Sequence, residues 1–308
     1  MEIESLVKPG GLVEATQVKH ALEYLSISLQ ELMLKYVPIA SRYSVSPISK
    51  FSVGAVVAGK EILSNGKSAE HGETARVPNL YLGANVEFAE QNLGFSIHAE
   101  QSAVANAHSN GETSLSALAV SAAPCGHCRQ FLNEVLGAQA MPITFPSADG
   151  SDAIIQTSLA QLLPDSFGPS DLGVSGGFMQ NELELPVFEL PSMVSNDDLF
   201  KKAARVAACS YVPYTANYAG VALQMNNGFI VEGANIENAA FNPGLDPLRV
   251  ALSHYYRHEP LAKDVQVARA VLVETNSSSS QKRFCSALLS SIAPMVEMEY
   301  LLLNQVIT

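Results

Sequence analysis

Basic residues are scarce in this chain: 18 Lys and Arg stand against 30 Asp and Glu, a formal net charge of −12, and no basic run appears. A protein that grips a polynucleotide neutralises its phosphates with clustered Lys and Arg, so a polynucleotide is not an expected partner. Long apolar runs are missing as well. No stretch reaches the roughly 18 consecutive apolar residues that mark a membrane-spanning helix. The opening MEIESLVKPGGLVEATQ has no basic segment leading into an apolar one, the pattern of a secretory signal. Cysteines number only four; Cys125 and Cys128 form a pair while Cys209 and Cys285 stand alone, which speaks against a disulfide framework. These absences together lead to the expectation of a cytoplasmic protein with reduced thiols and no membrane partner. The remaining composition, 47% hydrophobic and 16% charged over 308 residues, suits two domains that each bury a core.

Periodicity gives a coarse order of elements. Apolar residues recur at helical spacing between residues 16 and 36 (Leu22, Leu25, Ile27, Leu29, Leu32, Leu34), with Pro38 expected to end the run. FSVGAVVAG (51–59), LYLGANVEF (80–88) and SALAVSAA (116–123) read as strands. The polar segment 60–79, with a turn signal at Asn65-Gly66, has no assigned role. One helix is expected to begin near Ser96 and another at Pro124, since proline suits a first helical turn whose N–H has no partner. LLPDSFGPSDLGVSGG (162–177), rich in Pro, Gly and Ser, reads as a linker.

Beyond it the chain repeats itself. ISKFSVGAVV (48–57) is similar to YTANYAGVAL (214–223), and GANVEF (83–88) to GANIEN (233–238) at an offset of 150, at which Gly94 also matches Gly244. Carried onward, that register sets Leu248 where His98 stands and Val250 where Glu100 stands. No Cys-x-x-Cys follows in the second unit, which reads as a copy of the first without its chemistry.

That chemistry centres on SIHAEQSAVANA (96–107) and APCGHCRQFLNEVL (123–136). Cys125 and Cys128, at i and i+3, share a face at a helix start, where the dipole favours thiolates. A lone C-x-x-C also suits redox chemistry, but His98 offers a third ligand of the kind catalytic zinc takes, with a fourth position left for water. His127 is the rival ligand; beside Cys128 on a helix it points elsewhere and reads as a wall of the site. Glu100 stands two residues from His98, about 200° around a regular helix. The pair serves one centre only if that centre lies off the helix's N-terminal end. Zinc brings bound water toward ionisation near neutral pH, and a carboxylate beside it can carry the protons.

The H-x-E…P-C-x-x-C arrangement is the signature of zinc deaminases. HAEQSA, APCGHCRQFLNE, LLPDSFGP, the 13-residue step from Asn85 to His98 and the 27-residue step to Cys125 all resemble the cytidine deaminase family of two-domain, homodimeric type. SPISK precedes Phe51 where many members carry PYS; the second unit keeps VPYT. The resemblance implies a duplicated three-layer α/β/α sandwich preceded by a short helical segment, divided as 1–44, 45–160 (catalytic), 161–194 (linker) and 195–308 (degenerate). It implies one zinc per chain on His98, Cys125 and Cys128, with Glu100 as proton shuttle. Asn85 and Glu87 then hold the ribose 3′-hydroxyl, Val86 between them is a further substrate-binding residue, Phe51 stacks on the pyrimidine, and the Ala99 backbone meets its edge. Ala240 and Phe241 would line the mouth of the partner's site in a homodimer. The implied reaction is hydrolytic deamination of cytidine and 2′-deoxycytidine to the uridine nucleosides. The rivals are a deaminase of another free base or of polynucleotide cytosine, and a zinc-stabilised scaffold without activity.

Overall fold

Two mixed sheets, each flanked by helices, form the protein, as the duplicated sandwich requires. The computed structural model describes residues 2–63, 76–180, 185–259 and 266–306. Most of the polar 60–79 segment, including Asn65-Gly66, lies outside them. The first half contains β1 (Leu12–Val13), α1 (Ala15–Leu25), α2 (Leu29–Ser41), β2 (Gly54–Ala58) and the short pair β3 (Ile62–Leu63) and β4 (Arg76–Val77). It continues with β5 (Leu80–Ala84), α3 (Ala99–Ser109), β6 (Ala117–Val120), α4 (Gly126–Leu132), β7 (Pro142–Pro146), β8 (Ile154–Ser158) and α5 (Leu159–Leu162). The second half contains β9 (Val187–Glu189), α6 (Asp198–Ala208), β10 (Ala219–Met225), β11 (Ile230–Ala234), α7 (Pro247–His258), β12 (Val267–Thr275), α8 (Lys282–Ile292) and β13 (Met298–Val306).

The sheet orders are β1-β5-β2-β6-β7-β8 and β11-β10-β12-β13-β9. In each, an antiparallel pair (β2 with β5, β10 with β11) is followed by one parallel step (β6 with β7, β12 with β13). β2 is buried at every position because helices cover both faces, which is why it reads as an unbroken apolar run and not as an alternation. α1 and α2 pack on one face, against Val56, Leu80, Leu82 and Ala119. α3 packs on the other, and its small residues leave room for α7 of the second half, so Ala103 and Val104 share one core with Leu252 and Tyr255. Every residue of α3 from Ala99 to Ala107 is buried. Polar contacts cross this seam: the Ser102 and Ser253 hydroxyls lie 2.7 Å apart, and Arg257 donates to both. The 161–194 stretch is partly anchored, with Phe178 buried against Tyr211 and His108. No helix among the described residues is long and apolar enough to cross a membrane.

Three local expectations need correction. The 16–36 run is two helices, because Ser26 adopts a left-handed conformation (φ 52°) and Ser28 opens α2 with a reciprocal capping box to Glu31. Pro38 lies inside α2; it removes one backbone bond, which burial of Tyr36, Val37, Ile39 and Ala40 outweighs. Pro124 stands outside α4, whose N-cap is Cys125.

The register of the repeat also shifts. Val86 bridges Ile97 in the first half and Ile236 bridges Leu245 in the second, so the second loop is two residues shorter. Asp246, the N-cap of α7, therefore stands where His98 caps α3, and Leu248 stands where Glu100 does, in place of the Leu248 and Val250 of the fixed offset. Two glycines agree. A Cβ at Gly83 would meet Ala99 O and Ala103 N at 2.7 and 2.1 Å, and one at Gly233 would meet Pro247 O and Ala251 N at 2.1 and 2.5 Å. Each glycine lets its helix lie directly on the sheet backbone, at positions 148 apart in the helices.

Candidate active site

Two helix starts meet over the first sheet. His98 is the N-cap of α3 and Cys125 the N-cap of α4, with Cys128 in the first turn of α4. One ligand atom from each of His98, Cys125 and Cys128 lies within 4.8 Å of the others, the one such cluster among the described residues. Cys125 Sγ and His98 Nδ1 are 3.5 Å apart. Hydrogen bonds from Cys128 and from His98 pull the Cys125 thiol down to about 3, and the same contact with Cys125 raises His98. Cys128, fully buried and hydrogen-bonded to Cys125, is pushed well above the ordinary thiol range. Two sulfurs and one imidazole nitrogen converging from helix starts are a donor set suited to zinc, with one position left open.

Glu100 lies in the first turn of α3 and is 4% exposed. Burial raises its carboxyl, against hydrogen bonds from its own backbone N–H and from Cys128. Its carboxyl thus lies beside Cys128, one member of the cluster. His127 is not part of the cluster; its ring stacks on His98 at 5.0 Å, and it lines not the cavity that opens beside the cluster but a second one.

A cavity of about 450 Å³ opens beside the cluster, lined among others by Phe51, Asn85, Glu87, Ala99, Glu100 and Cys125. Asn85 Oδ1 accepts from Val53 N at 2.8 Å and Ser44 Oγ at 2.7 Å, while Nδ2 donates to Phe51 O at 3.0 Å. Glu87 accepts from Ile48 N at 2.9 Å, Ser49 N at 3.0 Å and the Ser49 hydroxyl. Burial raises its pKa, but these bonds from Ser49 and Ile48 outweigh it and hold the carboxylate below its ordinary range. Val86 is different: its side chain is 2% exposed, its N–H and C=O both pair with Ile97, and it does not line the cavity. Ala240 and Phe241 do not line it either; Phe241, 67% exposed, borders the second cavity, lined mostly by its own half.

Sequence reasoning missed Gln101. Its fully buried amide accepts from His98 N at 3.0 Å and donates to Pro243 O of the second half at 2.7 Å, fixing the start of α3. A Gln three residues after an N-cap is half of a capping box, but histidine at the cap position concealed it.

Residues 27–143 and again 159–285 match the family described as cytidine and deoxycytidylate deaminase zinc-binding region. The chain belongs to this family. It is 36% identical over 293 residues to a cytidine deaminase of Aliivibrio fischeri, covering 94% of this chain and 88% of that one. To a cytidine deaminase of Aeromonas hydrophila it is 40% identical over 271 residues, covering 87% and 82%. The crystal structure of a cytidine deaminase from Burkholderia pseudomallei aligns with 46% of this chain and all of its own, at 27% identity and a TM-score of 0.35. The deaminase family match extends over the second half although Asp246 and Leu248 stand there in place of His98 and Glu100.

Proposed function

We propose that this protein is a zinc-dependent cytidine deaminase, hydrolysing cytidine and 2′-deoxycytidine to uridine and 2′-deoxyuridine with release of ammonia. The observation that carries the reading is the His98, Cys125 and Cys128 cluster with buried Glu100 beside it, at the wall of a nucleoside-sized cavity. Zinc held by these three residues supplies Lewis acidity and a water nucleophile at neutral pH. Glu100, not a ligand, takes the water's proton and delivers protons to the ring N3 and to the departing amine.

The ribose end is read from what is left unspent. A carboxylate offers about four acceptor sites and an amide nitrogen two donors. Glu87 has three protein donors and Asn85 Nδ2 one acceptor, so one acceptor site and one N–H remain for the 3′-hydroxyl. Glu87→Gln should therefore cost cytidine more than 3′-deoxycytidine, by about 1–3 kcal/mol in kcat/KM for a hydroxyl left without its acceptor. Equal losses on both nucleosides would refute the ribose assignment.

We place the catalytic unit at 45–160 and the non-catalytic one at 195–308, with 161–194 between them, and the protein in the cytoplasm, where reduced thiols persist. We also read it as a homodimer in which Ala240 and Phe241 of each chain cover the other's site. Ile48, Phe51 and Leu93 line the cavity yet are 46, 59 and 65% exposed, an apolar rim that calls for a cover. Covering it excludes water and strengthens the electrostatic contacts inside. Mixing Glu100→Ala with Phe241→Asp after dissociation should restore activity in mixed dimers, because each contains one intact site under one intact cover. Verified mixed dimers without recovery exclude the arrangement.

A further inference from the structure

The second cavity, about 760 Å³, is lined mostly by the second half, with Gly94 and His127 of the first half completing it. Strand pairing and helix starts put it in the same place as the catalytic one. Ser49, Asn85, Glu87, Ile97, His98 and Cys125 border the first, and Thr215, Asn235, Glu237, Leu245, Asp246 and Gln281 stand at the matching positions of the second. We infer that this second cavity is a non-catalytic binding site for a pyrimidine nucleoside, with uridine preferred over cytidine. The inference rests on the ribose assignment of the first site.

The bonds of the ribose-holding carboxylate and of the amide nitrogen are repeated, while those of the amide oxygen are not: Ala219 N, at the position of Val53, donates to Ser210 Oγ and not to Asn235. Glu237 accepts from Tyr214 N at 2.9 Å, Thr215 N at 3.2 Å and the Thr215 hydroxyl, as Glu87 does from Ile48, Ser49 and the Ser49 hydroxyl. Asn235 Nδ2 donates to Asn217 O, as Asn85 Nδ2 does to Phe51 O. The same unspent acceptor and N–H that suit a 3′-hydroxyl in the first cavity therefore border the second.

The reacting parts are gone. Leu248 stands in Glu100's place, Gln281 at the Cys125 position and Phe284 at the Cys128 position, so neither a zinc set nor a proton shuttle remains. A buried ion pair between Asp246 and Arg249 occupies the metal's corner. Arg249 spends three N–H groups, on Asp246, on Gly244 O at 2.8 Å and on Gly94 O at 3.5 Å, and its side chain lines the cavity. A guanidinium has five donors and no acceptor.

That corner faces the edge of the base that the catalytic site attacks. In uracil this edge carries a carbonyl, which accepts; in cytosine it carries an amine, which donates. Arg249 suits the former and leaves the latter facing a donor. Phe284, under the Arg249 guanidinium at 5.4 Å, gives the aromatic surface that Asn217, at the position of Phe51, does not.

Equilibrium dialysis of labelled uridine against the zinc-loaded parent should count two sites per chain. Gln281→Trp, which fills the second cavity from the lost ligand's position, should count one. In Glu100→Ala, which does not consume its ligand, cytidine should bind the second cavity about tenfold more weakly than uridine. A single site per chain in a parent that turns over cytidine overturns the inference, as do two sites that both survive in folded Gln281→Trp. Equal affinities for the two nucleosides overturn the role given to Arg249. A parent without cytidine turnover defeats the underlying function instead, and the site count still decides whether the second cavity binds.

Discussion

Glu100→Ala is expected to keep its zinc and its fold while losing at least about 10²–10⁴ in kcat, the range that general acid–base groups contribute. The residue is not one of the three convergent ligands, so the metal's donor set is untouched. Alanine is the best helix former, and position 100 is in the first turn of α3, so the helix does not suffer. Removing a carboxyl that is 4% exposed also removes its desolvation cost, so thermal stability should hold or rise. Only the proton transfers are lost, and since one group serves the water, N3 and the leaving amine, the loss should lie at or above the upper end. Metal analysis, thermal melting and turnover on the same preparation check this. Near-normal kcat contradicts the role of Glu100.

The parts of this molecule that were legible in the sequence are those set by local rules. His98, Cys125 and Cys128 stand at two helix starts, and their residue types and spacing point to the metal set that the structure brings together. β2 was legible because a strand covered on both faces is an unbroken apolar run. What escaped was set at long range. Gln101 caps the α3 start through His98 N, behind an unusual histidine cap, and also bonds Pro243, 142 positions away, a contact that no local pattern announces. Pro38 was misread because propensity argues from the helix alone, whereas α2 lies on the first sheet and buries the residues on either side of the proline. The repeat was found, but a fixed offset cannot register a loop two residues shorter, so the substituted positions were displaced until the bridges of Val86 and Ile236 located them.

His98→Ala and Cys128→Ala should each lose zinc, stability and activity together. The three ligand atoms come from the starts of two different helices, so the ion they hold ties α3 to α4, and its binding free energy becomes folding free energy. Cys128 is fully buried and Cys125 exposed, so Cys128→Ala also leaves a small void, and its melting temperature should fall further than that of Cys125→Ala. The decisive measurement titrates zinc into metal-stripped parent and follows cytidine deamination against bound metal. Turnover should rise in proportion to zinc, stop rising at one ion per chain, and stay near zero throughout for His98→Ala and Cys128→Ala. Deamination by the metal-free parent, or either variant holding one zinc per chain as tightly as the parent, would contradict the account.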